Sequence, residues 1–414
     1  MSLRVLLVGL SALAAAACGD REAQGPAAAP GVDAAAKTIS IGILNDESGP
    51  GAAIGRPWGV GLRVLASQIN AGDSGLLPGG WKIKLVERDH GYNPQRSVQL
   101  FNEIRDEVLF VGTSFGTPNT LPLRPSLARN QIVAFPASLS SKMAEFEYTP
   151  PIGPSYKLEV MRALDWVAQQ AGGAGKVKLG IVYQQDDYGA DGRDAVAEAA
   201  PKLGISVVSQ QTYAPGQPDF TAVVAALKDS GATHVILTTL PSATAPILGV
   251  AAQLDYRPVW VGNSPSWIDR YFDAKVVPPA IFQNYHWVSS FTFWGEDVPL
   301  MKPFLAAYEK FGRPVAPPDY YILASYGVGL IQMQALTRTI QSGDLTRAGF
   351  LKALRAMKDY DTYGATAQPL DFTRFPYATG TQTRILKPDF GKRSWTVIAG
   401  YAAPSTLAPA ASGP

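Results

Sequence analysis

The sequence predicts an α/β protein built from two doubly wound lobes, each a mostly parallel sheet with helices on both faces. Its 414 residues are too many for a single domain with one hydrophobic core. Short β-branched runs alternate with longer helical stretches in two successive series, and such alternation is typical of parallel sheets. A proline-rich stretch at 149–154 separates the two series at a point where the chain cannot easily be helical.

The first series begins with the apolar run 38–44, which predicts a buried strand, and continues with the amphipathic stretch 57–70, which predicts a helix. The same alternation then repeats toward the proline-rich stretch. It predicts strands at 82–89, 108–111 and 132–135 and helices at 95–106 and 118–129.

The second series has the same regularity and predicts a second sheet. It contains predicted helices at 155–171, 190–201, 219–230 and 243–254 and predicted strands at 177–183, 205–213, 233–238 and 259–262. Helices then dominate over 299–357, and a glycine-rich hairpin region at 364–400 closes the fold.

The N-terminus has the features of an export signal. Arg4 precedes the apolar run 5–13, four alanines follow, and Cys18 comes next. The run is too short for a permanent membrane span, so residues 1–17 are predicted to be a removable signal peptide. The segment 13–18 resembles a lipobox, which predicts lipidation of Cys18 and anchoring of the protein to a membrane. An ordinary signal peptide with an incidental cysteine is the alternative.

The ends of the chain read as flexible segments, because they have no hydrophobic periodicity. Residues 18–37 are predicted to be a lipidated tether, and residues 402–414 a disordered tail. No stretch after the signal has 18 uninterrupted apolar residues, so no further membrane span is predicted.

Charge and motif content exclude several classes of partner. The 36 Lys and Arg balance 34 Asp and Glu for a net charge of +2, without blocks of like charge, so no nucleic-acid partner is predicted. The three histidines are isolated and no phosphate-binding glycine loop occurs, so neither a metal nor a cofactor is predicted. A small neutral or zwitterionic partner fits the composition best.

Several short motifs, in this order and spacing, resemble the type I periplasmic solute-binding proteins of the leucine/isoleucine/valine-binding group, which serve ATP-driven importers. The resemblance covers nearly all of the predicted mature chain. The motifs are Ile41-Gly42-Ile43-Leu44 with Ser48-Gly49-Pro50, 81–86 with Tyr92-Asn93-Pro94, Val111-Gly112, Phe135-Pro136-Ala137-Ser138, Asp187-Tyr188-Gly189, Pro218-Asp219-Phe220-Thr221 and Val261-Gly262-Asn263.

This resemblance implies two lobes joined by three crossings, with a ligand held in the cleft between them. The crossings are expected near 149–154, 285–290 and 360–366. Lobe 1 would then contain 38–151 and 286–363, and lobe 2 would contain 152–285 and 364–401. Ligands of open α/β sheets lie at the carboxyl ends of the strands, so the loops after the strands are the candidate site.

The resemblance also implies a function without catalysis. An exported monomer in the periplasm or at the cell surface would capture an amino acid or an aromatic or carboxylic compound. It would deliver this ligand to an ABC permease and its ATPase. A sensor of the same fold that reports to a signalling partner is the alternative, which the sequence does not separate from a transport receptor.

The loop after the strand near 111 is the first candidate for ligand contact. Thr117 is a natural helix N-cap before Pro118, and backbone N–H groups at such a turn can receive a carboxylate. In similar proteins this loop contacts the ligand's acid group, which makes Ser114, Gly116 and Thr117 candidates. Phe115 could add an apolar wall. A plain capped turn is the simpler interpretation.

Further candidates follow other strands. The resemblance implies a second acid-binding turn with the Ala137 backbone and the Ser138 hydroxyl, and a tyrosine, here Tyr188, that covers the ligand from the second lobe. The remaining candidates are Ser48 at the end of the first strand, Trp58 in the next helix, and Leu240, Asn263 and Ser264 in second-lobe loops. For Phe115 and Trp58, packing within the core is an equal alternative.

One departure from the resemblance concerns the ligand. Relatives that bind amino acids place a carboxylate near Gly262 to neutralise the ammonium, whereas this chain reads Asn263-Ser264-Pro265-Ser266. Either Asp186, Asp187 or Glu47 replaces that acid, or the ligand is not an α-amino acid. The aromatic residues Trp267, Tyr285, His286 and Trp287 suggest a cleft for a flat or apolar ligand, although such residues usually pack in cores.

A serine hydrolase is a remote alternative. The segment 112–116 reads G-x-S-x-G with Ser114 at its centre, as in a nucleophile elbow. The required downstream histidine could only be His234, within an apolar strand, or His286, at a predicted crossing. Both positions make the hydrolase interpretation weak.

Overall fold

The structure, a computed structural model, describes residues 29–73 and 75–407 and contains two α/β lobes. The predicted signal peptide, residues 1–17, and Cys18 lie outside the described residues. No helix in the described part of the chain is long and apolar enough to cross a membrane.

The first lobe is organised around a five-stranded sheet in which four strands run parallel in the order β3, β2, β4, β5, and the short β1 pairs antiparallel with β2. The strands are β1 (Val32–Asp33), β2 (Thr38–Asn45), β3 (Lys82–Asp89), β4 (Phe110–Phe115) and β5 (Ala134–Ala137). The helices are α1 (Ala52–Asn70), α2 (Pro94–Ile104), α3 (Thr117–Thr120) and α4 (Arg124–Asn130). Strand β2 is almost entirely buried, as a strand covered by helices on both faces must be.

The second lobe contains a seven-stranded sheet in the order β12, β11, β10, β9, β8, β6, β7, of which β11 and β12 are antiparallel and the rest parallel. The strands are β6 (Lys178–Gln184), β7 (Ser206–Tyr213), β8 (His234–Thr238), β9 (Val259–Gly262), β10 (Tyr285–Ser289), β11 (Thr383–Asp389) and β12 (Ser394–Ala402). Its helices are α5 (Tyr156–Gln170), α6 (Asp187–Leu203), α7 (Thr221–Asp229) and α8 (Pro241–Gln253).

Three further helices return the chain to the first lobe: α9 (Met301–Ala307), α10 (Tyr320–Ser342) and α11 (Arg347–Arg355). A π-helical turn, Tyr308–Gly312, follows α9. Helix α10 packs along α1, and Gly61 of α1 allows this approach, since a Cβ there would lie 2.3 Å from the Ile322 carbonyl oxygen. The α/β class and the two sheets predicted from the sequence are confirmed.

Local sequence signals set the helix ends that face the cleft. The Asn93 side chain accepts from the Arg96 N–H at the start of α2, and Ser155 accepts from the Leu158 N–H at the start of α5. Asp186 caps α6 by accepting from the N–H groups of Tyr188 and Gly189. These caps begin the helices directly after crossings or strands, and so they position the loops that line the cleft.

Some details differ from the sequence predictions. The helix predicted over 118–129 is divided into α3, a 3-10 turn at Leu121–Leu123 and α4, because prolines at 118, 122 and 125 remove main-chain donors and favour new helix starts. Strand β10 belongs to the seven-stranded sheet, whereas residues from 286 onward were predicted in lobe 1.

The predicted tether and tail also contain ordered residues. At one end, Ala29 is buried, its N–H donates to the Leu345 carbonyl, and Val32 pairs with Ile39. At the other end, the Ser405 N–H and hydroxyl donate to the Asp165 carboxylate at 2.6 and 2.5 Å. Main-chain and side-chain hydrogen bonds therefore hold 29–37 and 402–407 to the lobes, although neither segment has a hydrophobic pattern.

Candidate functional site

The two lobes contact each other along the carboxyl ends of their strands. Gln184, at the end of β6, donates to the Tyr92 hydroxyl at 3.0 Å. At the rim of the cleft, the Ser242 hydroxyl donates to the Pro50 carbonyl at 3.1 Å. The structure therefore has the lobes in contact on either side of the space between them.

A second group of contacts joins the lobes near the start of α6. Asp191 accepts from the Ser141 N–H at 2.9 Å and from the Ser141 hydroxyl at 2.5 Å. Beside it, Lys142 forms an ion pair with Asp187 at 2.6 Å. We refer to Ser141, Lys142, Asp187 and Asp191 as the latch. Asp191 is buried, whereas the Lys142 to Asp187 pair is exposed, so the hydrogen bonds to Asp191 are the better shielded part of the latch.

Between the lobes lies a cavity of about 60 Å³ at the carboxyl ends of both sheets. Most of the residues proposed from the sequence line it: Trp58, Phe115, Gly116, Thr117, Ala137, Ser138, Tyr188, Leu240 and Ser264. This position follows from the parallel topology, since loops that follow parallel strands meet at one edge of each sheet. The structure thus brings these nine residues together around one space.

Three proposed residues do not line this cavity. The Ser48 hydroxyl donates to Asp89 at 2.6 Å and borders a separate groove at the rim. The Ser114 hydroxyl is buried and bonded to Thr120 at 2.8 Å. Asn263 lies behind Tyr188 and accepts from its hydroxyl at 2.8 Å. Each of the three therefore supports a neighbouring loop or side chain and does not face the cavity.

Sequence reasoning missed the larger part of the wall. The additional residues are mostly aromatic or aliphatic: Ile54, Tyr92, Pro136, Leu139, Ile152, Tyr156, Pro265, Phe291, Tyr320, Tyr321, Ala324 and Val328. Tyr92 belongs to a motif that carried the resemblance, and Leu139 follows a proposed residue, so both had a local signal. The residues of α10 reach the cavity only because α10 packs on α1, which no local pattern indicates.

Two hydroxyl groups and a main-chain N–H form a hydrogen-bonded chain, the hydroxyl chain, at the hinge end of the cavity. Thr117 Oγ1 and Ser138 Oγ are 2.7 Å apart. The Ser140 N–H donates to Ser138 Oγ at 3.2 Å. The one bond between the two hydroxyls uses one of their two hydrogens, so the other hydrogen is left to donate to a ligand.

The tyrosines of the opposite wall already use their hydroxyl hydrogens within the protein. The Tyr188 hydroxyl lies 2.8 Å from Asn263 Oδ1 and 3.1 Å from the Thr239 carbonyl oxygen. The Tyr321 hydroxyl donates to the carbonyls of Ser264 and Trp267. Burial raises the pKa of both tyrosines well above the usual value, which keeps them neutral. These rings therefore present mainly apolar surface to the cavity.

No charged side chain lines the cavity within residues 29–73 and 75–407. Of the acids considered as ammonium partners, Asp186 caps α6, Asp187 belongs to the latch, and Glu47 pairs with Arg63 at 2.9 Å. Their side chains are used in capping and ion pairs, and none of the three lines the cavity.

A different carboxyl group lies behind the cavity wall. Glu159 of α5 is completely buried and accepts from the Ser264 N–H at 2.9 Å and from the Ser264 hydroxyl at 2.8 Å. Burial raises its pKa to about 8, although the hydrogen bonds from Ser264 act in the opposite direction. Glu159 is therefore mostly protonated at neutral pH and holds the Ser264 loop in place.

The aromatic residues considered as a cleft surface belong to the second-lobe core. Trp267 packs edge-on against Phe282 and Trp395, with ring centroids 5.2 and 4.6 Å apart. Trp267, Tyr285 and Trp287 are fully buried, and none of them lines the cavity. The suggestion that they form the cleft is wrong, because a seven-stranded sheet needs large side chains to fill the space beneath its helices.

The surroundings of Ser114 do not support the hydrolase interpretation. Among the described residues, no histidine forms a hydrogen bond with its hydroxyl. His234 lies in β8 and is bonded to Thr233 and Gln170, and His286 lies in β10 against Trp166. Within residues 29–73 and 75–407, no histidine is therefore placed to activate this serine as a base.

Comparisons with known proteins agree with this geometry. A family described as periplasmic binding protein matches residues 38–377. An amino acid binding protein of Pseudomonas aeruginosa is 24% identical over 303 residues, which cover 70% of this chain and 75% of that protein. A Leu/Ile/Val-binding protein homolog of Brucella melitensis is 28% identical over 208 residues, or 49% of this chain and 54% of that protein.

Solved structures give the same result for the fold. A fatty acid ABC transporter substrate-binding protein from Thermomonospora curvata superimposes with a TM-score of 0.84 at 25% identity, covering 92% of this chain and 95% of that one. A branched-chain amino acid ABC transporter protein from Thermus thermophilus with bound valine gives 0.78 at 20% identity, covering 89% and 97%. With two lobes, strand-end loops and a cavity between them, this chain belongs to the periplasmic binding protein family.

Proposed function

We propose that this protein captures a small organic ligand without a positive charge in the cavity between its lobes and delivers it to an ABC importer. The composition of the wall is the observation that carries the proposal. The wall is mainly apolar, has one hydroxyl hydrogen to spare, and lacks a charged side chain among the described residues. Such a wall suits a branched, aromatic or acyl compound with a carbonyl or carboxylate group.

A carboxylate would accept the spare hydroxyl hydrogen of the Thr117 and Ser138 pair and the hydrogens of main-chain N–H groups in the strand-end turns. These groups are donors, and an anion needs donors. An ammonium needs acceptors and a counter-charge. The three acids that could supply one are used elsewhere, and Glu159 is mostly protonated, so an amino acid would leave its ammonium unpaired at a cost of several kcal/mol, roughly.

The names of similar proteins point to two classes of ligand, amino acids and fatty acids. One relative is named an amino acid binding protein, and the structure with the TM-score of 0.84 is named a fatty acid ABC transporter substrate-binding protein. The apolar, uncharged wall favours the second kind of chemistry. The composition of this chain's wall, and not the names of the relatives, is the reason that the proposed ligand has no cationic group.

The proposal includes export and anchoring. The signal-like residues 1–17 would direct the chain to the periplasm or the cell surface, and lipidation of Cys18 would attach it to the membrane near its permease. The protein would act as a monomer that closes around one ligand, as a shift between open and closed populations. Metabolic labelling with a fatty-acid probe, compared between the wild type and Cys18→Ser, tests the anchor.

Ligand pairs that differ only in the amino group test the ligand class. The first pair is 4-methylpentanoate and leucine, and the second is 3-phenylpropanoate and phenylalanine. We expect the compounds without an amino group to raise the melting temperature with increasing concentration, because a ligand that binds only the folded state stabilises it. We expect the amino acids to have at least tenfold weaker affinity in calorimetric titrations.

Equal or tighter binding of the amino acids would show that an ammonium partner exists and would overturn the ligand class. Absence of binding by all four compounds, together with their amides, would contradict the capture function. Uptake of a bound compound by the source cells, with and without this protein, then separates delivery to an importer from sensing.

A further inference from the structure

We propose that a second cavity, on the far side of Leu139, is an extension of the ligand site and takes the apolar tail of an elongated ligand such as a medium-chain acyl compound. This inference rests on the proposed function and specifies its substrate class. The second cavity has a volume of about 220 Å³, compared with about 60 Å³ for the first. The second cavity therefore offers room for a ligand that extends past Leu139.

The two cavities share one wall residue. Leu139 lines both cavities, and Ile152 borders the first cavity while its neighbours Pro151 and Gly153 border the second. The Leu139 carbonyl accepts from the Tyr156 N–H at 2.8 Å, which ties the main chain at Leu139 to the start of α5. In the proposed site, a change of the Leu139 rotamer would connect the two spaces.

The second cavity has the chemistry of a tail site. Its exposed surface is mainly apolar, and none of the described residues that line it carries a charge. The Ser141 hydroxyl donates to Asp191, the Thr379 hydroxyl donates to the Gly153 carbonyl at 3.2 Å, and the Ser155 hydroxyl accepts from the Leu158 N–H at the start of α5. The Ser140 hydroxyl is buried and has no partner among the described residues. An apolar tail therefore displaces water from this surface without breaking protein hydrogen bonds.

The position of the cavity connects chain length to lobe closure. Its walls include two chain segments that pass between the lobes, at 151–155 and 377–381, and the bond from Thr379 to Gly153 joins them. The second of these segments lies later in the chain than the crossing expected at 360–366, because Tyr377 is still bonded to Ala144 and Glu147 of the first lobe. The latch residue Ser141 lies on the same wall. A tail in this cavity would contact the segments that bend when the lobes move, in addition to adding buried surface.

Straight-chain carboxylates from butanoate to decanoate, titrated below the concentration of micelle formation, test the inference. In the wild type we expect the affinity to keep rising along the series, by up to about fourfold per added methylene. The informative quantity is the ratio of the decanoate to the butanoate affinity. An extension site predicts that this ratio responds to changes in the second cavity.

Two substitutions should move this ratio in opposite directions. Ala144→Phe fills the second cavity from its outer wall, since Ala144 lines only that cavity, and should lower the ratio at least tenfold. Leu139→Ala removes the partition and should raise the ratio. Ala144→Ser is the matched control, because it changes the same position with little change in volume, and its ratio should equal that of the wild type.

A ratio that is the same in the wild type, Ala144→Phe and Leu139→Ala would overturn the extension site. If 4-methylpentanoate still binds in that case, only this inference fails and the proposed function stands. If neither 4-methylpentanoate nor any straight-chain acid binds the wild type, both fail. The opposite signs expected for the two variants keep the test decisive even if one of them does not fold.

Discussion

The two ends of the first cavity, the main cavity between the strand ends of the two lobes, differ in whether their hydroxyl groups are free to bind a ligand. At the hinge end, the bonded hydroxyls of Thr117 and Ser138 have one hydrogen to spare. At the opposite wall, Tyr188 and Tyr321 have their hydroxyls bonded within the second-lobe loops. The difference suggests a division of labour in which the hydroxyl chain recognises a polar group and the tyrosine wall selects for shape.

The largest expected effect is on the free energy of unfolding of the protein and comes from Glu159. Glu159 holds the Ser264 loop, which lies beside Tyr188 and Tyr321 in the wall that we call the tyrosine wall. Because the folded-state pKa, about 8, lies above the ordinary value of 4.5, the folded protein holds a proton that the unfolded chain has lost between these pH values. The stabilisation is complete below pH 4.5 and is lost as the pH rises toward 8. The slope approaches about 1.4 kcal/mol per pH unit.

Glu159→Gln should remove this slope while retaining a polar group of the same shape. Urea unfolding of the wild type and of Glu159→Gln at a series of pH values gives the free energy of unfolding of each protein. The difference between the two values, plotted against pH, measures the slope. A difference that does not change with pH between 4.5 and 8 would show that Glu159 is ionised in the folded protein. The Ser264 loop of the tyrosine wall would then be held by the ionised carboxylate of Glu159.

The second prediction removes the tyrosine ring itself. Tyr188→Ala should weaken binding of 4-methylpentanoate by about thirtyfold or more, as expected for a central buried aromatic contact. Tyr188→Phe is the matched control: it should cost about 1 to 3 kcal/mol of folding stability, because Asn263 Oδ1 and the Thr239 carbonyl lose a donor, but only a small part of the affinity. Equal losses of affinity in both variants would assign polar recognition to this wall as well.

The third prediction concerns the hydroxyl chain. Ser138→Ala interrupts it and should weaken carboxylate binding by about tenfold, which is typical of a lost hydrogen bond to a charged group. Ser48→Ala serves as the control, since Ser48 bonds Asp89 outside the cavity and its loss should leave the affinity as in the wild type. Calorimetric titration with 4-methylpentanoate measures both. A larger loss of affinity in Ser48→Ala than in Ser138→Ala would show that the carboxylate binds near Ser48 and not at the hydroxyl chain.

The smallest effect is expected at Ser114, which lies behind the hydroxyl chain. Ser114→Ala should lower stability by about 1 kcal/mol through the lost bond to Thr120 and leave ligand affinity within about twofold of the wild type. An assay with p-nitrophenyl esters should show no turnover in either protein. Ester hydrolysis by the wild type that disappears in the variant would restore the hydrolase interpretation.

Periodicity in the sequence predicts most of the fold. The strands expected at 82–89 and 259–262 have these bounds in the structure, and α5 differs by one residue at each end from the helix expected at 155–171. Local signals fail where the outcome depends on tertiary packing. Nothing local shows that β10 joins the second sheet, or that main-chain bonds fix residues 29–37.

The candidate site is predictable only in its loops. Residues such as Thr117 and Ser138 follow strands of a parallel sheet, and topology then places them at the cleft. Aromatic residues cannot be assigned in this way: Trp267 fills the core, while Tyr321 reaches the cavity from a helix distant in sequence. Glu159 looks like an ordinary surface acid in a helix, because a partner 105 residues away, Ser264, decides its burial.

The latch has a consequence for the range of compounds that the protein can tolerate. Ser141 and Asp191 bond each other at the lobe edge, and neither residue touches the main cavity. Part of the driving force for bringing the lobes together is therefore independent of a guest molecule that occupies only the first cavity. A ligand needs to supply only the rest of the free energy of lobe closure, so ligands of different shapes could complete the closure. The protein would then discriminate among ligands by whether their shape obstructs the closure of the lobes.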